Sequence, residues 1–287
     1  MTICDNYLEA LEEWFPVDIQ IAGHFYEVMH QDRITTIGAF PIGLGVDEIL
    51  SEVSEGKTLK YKLGRESLYE KINNDRKNGR YVFGGLERCD YTKGLIERLS
   101  IFYNALNKLR SSEKDARFYQ VTAPSRSENP DYQNIHAILG QEVMKMNKKL
   151  HGEYIIHMDE GISAPQNYRF MKEIDIMLVT PLEDGMNLVA FEYILSQKYK
   201  SPQDRGILVI STCGASRVLK QKGFGEEDGI IYINPMKTKD AGEKTVEALR
   251  KGRHLSEKVI NYVEKERKID DWAERNIDAI VNCRKAA

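Results

Sequence analysis

A series of short, nearly unbroken apolar runs, separated by longer amphipathic ones, constrains this chain most. Gly206-Ile-Leu-Val-Ile-Ser211 is the clearest, and Tyr81–Gly84, Arg117–Val121, Glu153–His157, Asp175–Val179 and Ile231–Ile233 follow the same pattern. A strand that is apolar on both faces must be covered on both, as in a parallel sheet between two helical layers. Helical periodicity predicts those layers over Lys93–Leu109, Tyr132–Leu150, Tyr168–Lys172, Asn187–Gln197 and Asp240–Arg250. Right-handed crossovers then give an α/β fold, a Rossmann-like doubly wound parallel sheet with flanking helices. Ligands of such sheets bind outside the carboxyl ends of the strands.

The flanks follow this scheme less closely. Tyr7–Trp14 reads as a helix ending before Pro16, and Ile34–Phe40 as a strand. Residues 51–80 are highly charged and predict a linker with one surface helix, while Leu255–Cys283 carries two amphipathic helices. The expected partition is a leading segment over 1–50, the Rossmann-like domain over 51–252 and C-terminal helices over 253–287.

Composition excludes several classes. A net charge of -3 disfavours a nucleic-acid partner, so an anionic ligand needs local cations. Cys4, Cys89, Cys213 and Cys283 form no Cys-x-x-Cys pair, which argues against a structural zinc site or a disulfide framework and suits a reducing compartment. Nothing resembles a secretory leader, and no run approaches the ~20 apolar residues of a membrane span. The expectation is a cytoplasmic protein without membrane contact. Walker-type phosphate loops and Gly-x-Ser-x-Gly elbows are missing, and the six histidines lack metal-ligand spacing.

The candidate residues all follow predicted strands. Arg88 and Lys93 lie in the turn after the first strand, where a guanidinium fork and an ammonium could clamp a diphosphate. The alternative is plain surface solvation, in a chain with 41 Lys and Arg. Asp184 and Gly185 occupy the loop after Asp175–Val179, and Met186, Asn187, Leu188 and Val189 open the next helix. Uncapped N–H groups there would hold phosphate or sugar hydroxyls without a metal, and Glu192 would accept from vicinal hydroxyls. Equally, Asp184 could simply cap the helix and Glu192 could be a solvated charge. Arg126, after Arg117–Val121, is placed to reach a second anion, although a lone arginine is more often ordinary surface. His157 ends a strand on the same rim, and a satisfied structural histidine is the better reading.

Together these strings resemble the trehalose-6-phosphate synthase family, glycosyltransferase family 20. The resemblance runs over most of the chain: Phe40–Gly43, Leu86–Gly94 (LERCDYTKG), Ala123–Arg126, Leu178–Leu182, Asp184–Glu192 (DGMNLVAFE), Leu208–Ser211 and Asn234–Pro235, in the family's order. It implies a retaining, metal-independent transferase of the GT-B type without an organic cofactor. Such an enzyme passes glucose from UDP-glucose to glucose 6-phosphate, giving trehalose 6-phosphate and UDP. By motif, Arg88 and Lys93 would bind the donor diphosphate and act catalytically by stabilising the leaving group. Asp184, Gly185 and the Met186–Val189 backbone would contact sugar and phosphates, Glu192 would hold the ribose, and Arg126 would grip the acceptor phosphate. The acceptor attacks on the leaving-group face, so Asp184 and Glu192 are not a hydrolase's carboxylate pair.

The chain departs from the family pattern in three ways. Phe191 stands where lysine is usual and Glu183 where arginine is common, and the Ser211–Ser216 turn is one residue short. Most of the N-terminal acceptor domain has no counterpart, since residues 1–50 resemble only its last segment. The resulting expectation is weak donor binding by this chain alone, with transfer requiring a separate N-terminal half-domain chain or a homo-oligomer. The surfaces near Tyr7–Trp14 and Val259–Ile280 would serve for docking. A glucosylglycerol-phosphate synthase, a non-catalytic nucleotide-sugar-binding subunit and a fragment are the alternatives.

Overall fold

The computed structural model describes residues 3–22, 25–38, 40–64, 66–125 and 128–286. Packing divides the chain into two compact units, one of Val46–Glu264 and one of Met1–Gly45 with Lys265–Ala287.

In the smaller unit, α1 (Ile3–Trp14) precedes an antiparallel meander of β1 (Asp18–Ala22), β2 (Phe25–His30) and β3 (Arg33–Gly38). The β2–β3 hairpin turns through Gln31 and Asp32, with Gln31 at φ 53°, where glycine or asparagine is the usual occupant. That choice hides the turn from a sequence reading, which predicts only the third strand.

The larger unit opens with α2 (Val46–Val53), the two-residue strands β4 (Lys62–Leu63) and β5 (Glu66–Ser67), and α3 (Leu68–Lys77). Residues 51–80 are therefore not a linker with one surface helix. Val53, Leu68 and Ile72 are completely buried, and the apolar i, i+4 pair Leu68/Ile72 anchors α3 despite its charged remainder.

A six-stranded parallel sheet follows: β6 (Arg80–Arg88), β7 (Asp115–Ala123), β8 (Ile155–Met158), β9 (Ile176–Val179), β10 (Ile207–Ser211) and β11 (Ile230–Ile233). Its helices are α4 (Leu95–Arg110), α5 (Pro130–Lys149), α6 (Ala164–Glu173), α7 (Leu188–Ser196), α8 (Gly214–Gln221), α9 (Thr238–Arg250) and α10 (Glu257–Glu266). The short helix α8 lies where the sequence suggested only a turn.

Leu95, Leu99, Phe102, Leu106 and Leu109 form the buried stripe of α4. Phe102 lies 5.3 Å from Phe83 and 5.2 Å from Phe118, centroid to centroid, joining helix to sheet. Each such buried ring contributes about 1.5–3 kcal/mol of transfer free energy.

The strand order β11-β10-β9-β6-β7-β8 is that of a doubly wound fold. The chain winds outward one way from β6 and then, from β9, the other way. The switch between β6 and β9 opens a crevice at their carboxyl ends, and this is what positions the site. In the smaller unit, α11 (Ile269–Ala286) closes the chain, where Trp272 Nε1 donates to the Phe40 carbonyl (2.9 Å) and Leu44 bridges Lys268.

Candidate functional site

Two loops meet at the switch point. After β6, Asp90 caps a single helical turn (Tyr91–Lys93), its Oδ1 accepting from the Thr92 N–H and hydroxyl at 2.9 Å each. Gly94 reverses the chain at φ 58°, and a Cβ there would lie 2.1 Å from the Thr180 carbonyl oxygen. The Leu182 N–H donates to the Thr92 carbonyl at 2.7 Å, so the β6 turn and the β9 loop are tied through their backbones.

The side chains converge over that tie. Lys93 Nζ lies 2.6 Å from Asp184 Oδ2 and 3.8 Å from Glu87 Oε2. Asn187 caps α7 by accepting from the Ala190 N–H (3.3 Å) and donates to Glu87 Oε1 (2.7 Å) and Asp184 Oδ2 (3.2 Å). The helix start is therefore not uncapped, and the cap is Asn187 rather than Asp184. Leu188 and Val189 still have no intrahelical acceptor for their amides, because they occupy the first turn.

These groups border a cavity of about 290 Å³, near the lower end of small-molecule sites. Arg88, Lys93, Met186, Asn187, Leu188, Val189 and Glu192 line it. Asp184 reaches it through Lys93, and Gly185 sits exposed in the loop above. Arg126 lies outside the described residues. Phe191 is completely buried in α7 and is not part of the cavity lining.

Glu87, Ile162 and Asn167 also line the cavity, although the sequence reading gave them no role. The Asn167 Oδ1 atom is buried without a hydrogen-bond partner. An unsatisfied acceptor at a cavity wall costs stability unless a ligand donates to it. Glu87 was detectable only as the residue beside Arg88.

Glu192 is not a solvated charge. Burial pushes its carboxyl up to about 7, with Glu87 and Glu48 adding repulsion. A carboxyl raised in the folded state favours folding most below its ordinary value of 4.5, and that contribution is lost as the pH rises through about 7. Glu192→Gln should therefore stabilise the chain more at about pH 8 than at about pH 5.5, by at most roughly 2 kcal/mol. Urea denaturation of both proteins at both pH values measures it, and equal differences would return Glu192 to the solvent.

Among the described residues, no group of three or more His, Cys, Asp or Glu side chains is placed to hold a metal, and no helix is long and apolar enough to cross a membrane.

The glycosyltransferase family 20 model matches residues 2–282. A trehalose-6-phosphate synthase of Enterobacter sp. (strain 638) is 30% identical over 245 residues, covering 82% of this chain and 47% of that relative. One of Mycobacterium sp. (strain KMS) is 29% identical over 273 residues, covering 94% of this chain and 53% of its own length. Among solved structures, the α,α-trehalose-phosphate synthase (UDP-forming) of Burkholderia xenovorans, in complex with glucose-6-phosphate, superposes with a TM-score of 0.78. Its sequence identity is 24%, and the match covers 96% of this chain and 58% of that one, which establishes the shared fold. The chain spans about half the length of the curated relatives it matches.

Proposed function

The chain belongs to glycosyltransferase family 20, and from that premise we propose that it is the donor-binding half of a UDP-glucose-dependent glucosyltransferase. The reaction is retaining transfer of glucose to glucose 6-phosphate, giving trehalose 6-phosphate and UDP. One observation carries the reading: Arg88, Lys93, the first turn of α7 and Glu192 surround a single cavity at the switch point of the sheet.

In this reading each group has a task set by its chemistry. Arg88, exposed at the end of β6, and Lys93 meet the diphosphate and hold the charge that develops on it as the glycosidic bond breaks. No metal is needed for that step. The amides of Leu188 and Val189 face phosphate or sugar oxygens, and the carboxylates of Asp184 and Glu192 accept from hydroxyls of glucose and ribose. Arg126 grips the acceptor phosphate.

Transfer requires a second wall that excludes water and orients the acceptor. In this reading residues 1–50 are the remnant of the acceptor domain, and a separate chain, or another copy, supplies the second wall. Cytoplasmic residence suits the free, buried thiols Cys89 and Cys213.

Calorimetric titration with UDP tests the donor site. Arg88→Ala should weaken binding by about 10- to 150-fold, the equivalent of one charge-assisted contact of about 1.5–3 kcal/mol. Unchanged affinity would remove Arg88 from the site. Ordinary turnover of UDP-glucose and glucose 6-phosphate by the 287-residue chain alone would end the two-chain reading.

A further inference from the structure

The opposite rim of the sheet holds a larger cavity, of about 620 Å³, that the donor-site reading leaves without a task. It lies at the amino ends of β6, β9 and β10, between Gly79–Tyr81, the end of α6, the α7–β10 connection and the α9–α10 connection.

Its charges are unbalanced. The acidic wall groups are already engaged: Arg76 binds Glu173 (2.9 Å) and Asp175 (3.1 Å), Asp175 also accepts from the Val82 N–H (2.9 Å), and Asp204 accepts from Ser201. The lysines are not matched in this way. Among the described residues, no carboxylate lies within ion-pair distance of Lys114, Lys172 or Lys200. Lys172 donates only to the Val53 carbonyl (2.8 Å) and Lys200 only to the Lys172 carbonyl (3.1 Å).

Two further donors border the cavity. Arg205 is 6% exposed and pairs with Glu257 through Nη2, yet its buried Nε has no partner. His254 contacts the Arg205 carbonyl through Nδ1 (2.6 Å), which leaves Nε2 unused by that bond.

Lysines near helix C-termini commonly offset the helix dipole, as Lys172 does at the end of α6. Lys114 precedes β7 and Lys200 follows α7 beyond its last turn, so that account does not cover them. Burial also pushes the Lys200 ammonium down to about 8, with Asp175 drawing it back up, Arg76 lowering it further, and Glu173 and Asp204 again raising it. Because no carboxylate among the described residues stands within ion-pair distance of it, that ammonium is a standing cost, which a ligand of opposite sign lowers.

We propose that this cavity binds a small phosphorylated metabolite carrying at least two negative charges, with Lys114, Lys200, Arg205 and His254 as its donors. The inference does not rest on the transferase reading, since its residues and the opposite rim are separate.

The test is calorimetric titration with pyrophosphate at constant ionic strength, on the full chain and two double variants. Arg88→Ala with Lys93→Ala removes the donor-site cations, and saturable pyrophosphate binding should survive it. Lys114→Gln with Lys200→Gln should weaken binding at least about tenfold, one charge-assisted contact or more. Lys114 is exposed, so Lys114→Gln alone keeps the fold and should still lower affinity severalfold. No saturable binding to the full chain, or wild-type affinity in both lysine variants, would overturn the proposal. So would loss confined to the Arg88/Lys93 variant, which assigns the pyrophosphate to the donor site instead.

Discussion

Replacing Arg98 with methionine should destabilise the larger unit by about 3–5 kcal/mol, the usual cost of leaving one member of a buried ion pair behind. Arg98 is completely buried beneath the switch point. Its Nε donates to Thr180 Oγ1 (2.9 Å), its Nη1 reaches Gln120 Oε1 (3.4 Å), and its Nη2 stands 3.8 Å from Glu87 Oε1. Burial pushes the guanidinium down to about 10 while Glu87 holds it up, so it is charged at neutral pH.

Without it, buried Glu87 keeps only Lys93 at 3.8 Å as a counter-charge. The loss reaches the cavity as well, because Glu87 Oε1 accepts from Asn187, which caps α7. Chemical denaturation measures the stability, with Glu87→Gln/Arg98→Met as the companion. The double variant should recover about half of the loss, since it leaves no unpaired charge. A single-variant loss below about 1 kcal/mol, well under that range, would mean that water already solvates this pair.

Arg98 also marks where the sequence stops being informative. The sheet was legible because Ile207–Ser211 and its neighbours are buried on both faces, a pattern few other folds allow. The donor strings were legible because their order and residue types match a family, and the switch point brings most of them to one cavity. A charged residue within the helical run Lys93–Leu109 reads as solvated, and nothing local reveals that Arg98 points into the core. Its partner Glu87 lies eleven residues away on a different element. Asn167 is hidden likewise, since its role comes from an unsatisfied oxygen and not from any residue pattern. Of the meander before Gly38 only the third strand is legible, because the β2–β3 turn uses Gln31-Asp32 in place of a glycine signal.

Gly214→Ala should abolish most donor binding while leaving the sheet intact. Gly214 opens α8 just beyond β10, and its N–H donates to the Asp184 carbonyl at 3.1 Å. A Cβ built there lies 1.7 Å from the Gly185 carbonyl oxygen and 2.7 Å from its carbon, so backbone must move, not a flexible side-chain end. Relieving that overlap shifts the Asp184–Met186 loop by roughly 1–2 Å, enough to part Asp184 from Lys93 and move Met186 in the cavity wall. Misplacement of about 1 Å commonly costs on the order of 100-fold, and UDP affinity should fall by that order. Overpacking itself costs only about 1–3 kcal/mol, which a unit of this size withstands, so circular dichroism should remain that of the parent. The close approach of the start of α8 to the Gly185 backbone is what makes this position intolerant. UDP affinity within about threefold of the parent, far short of that expected loss, would show that the loop yields without disturbing the site.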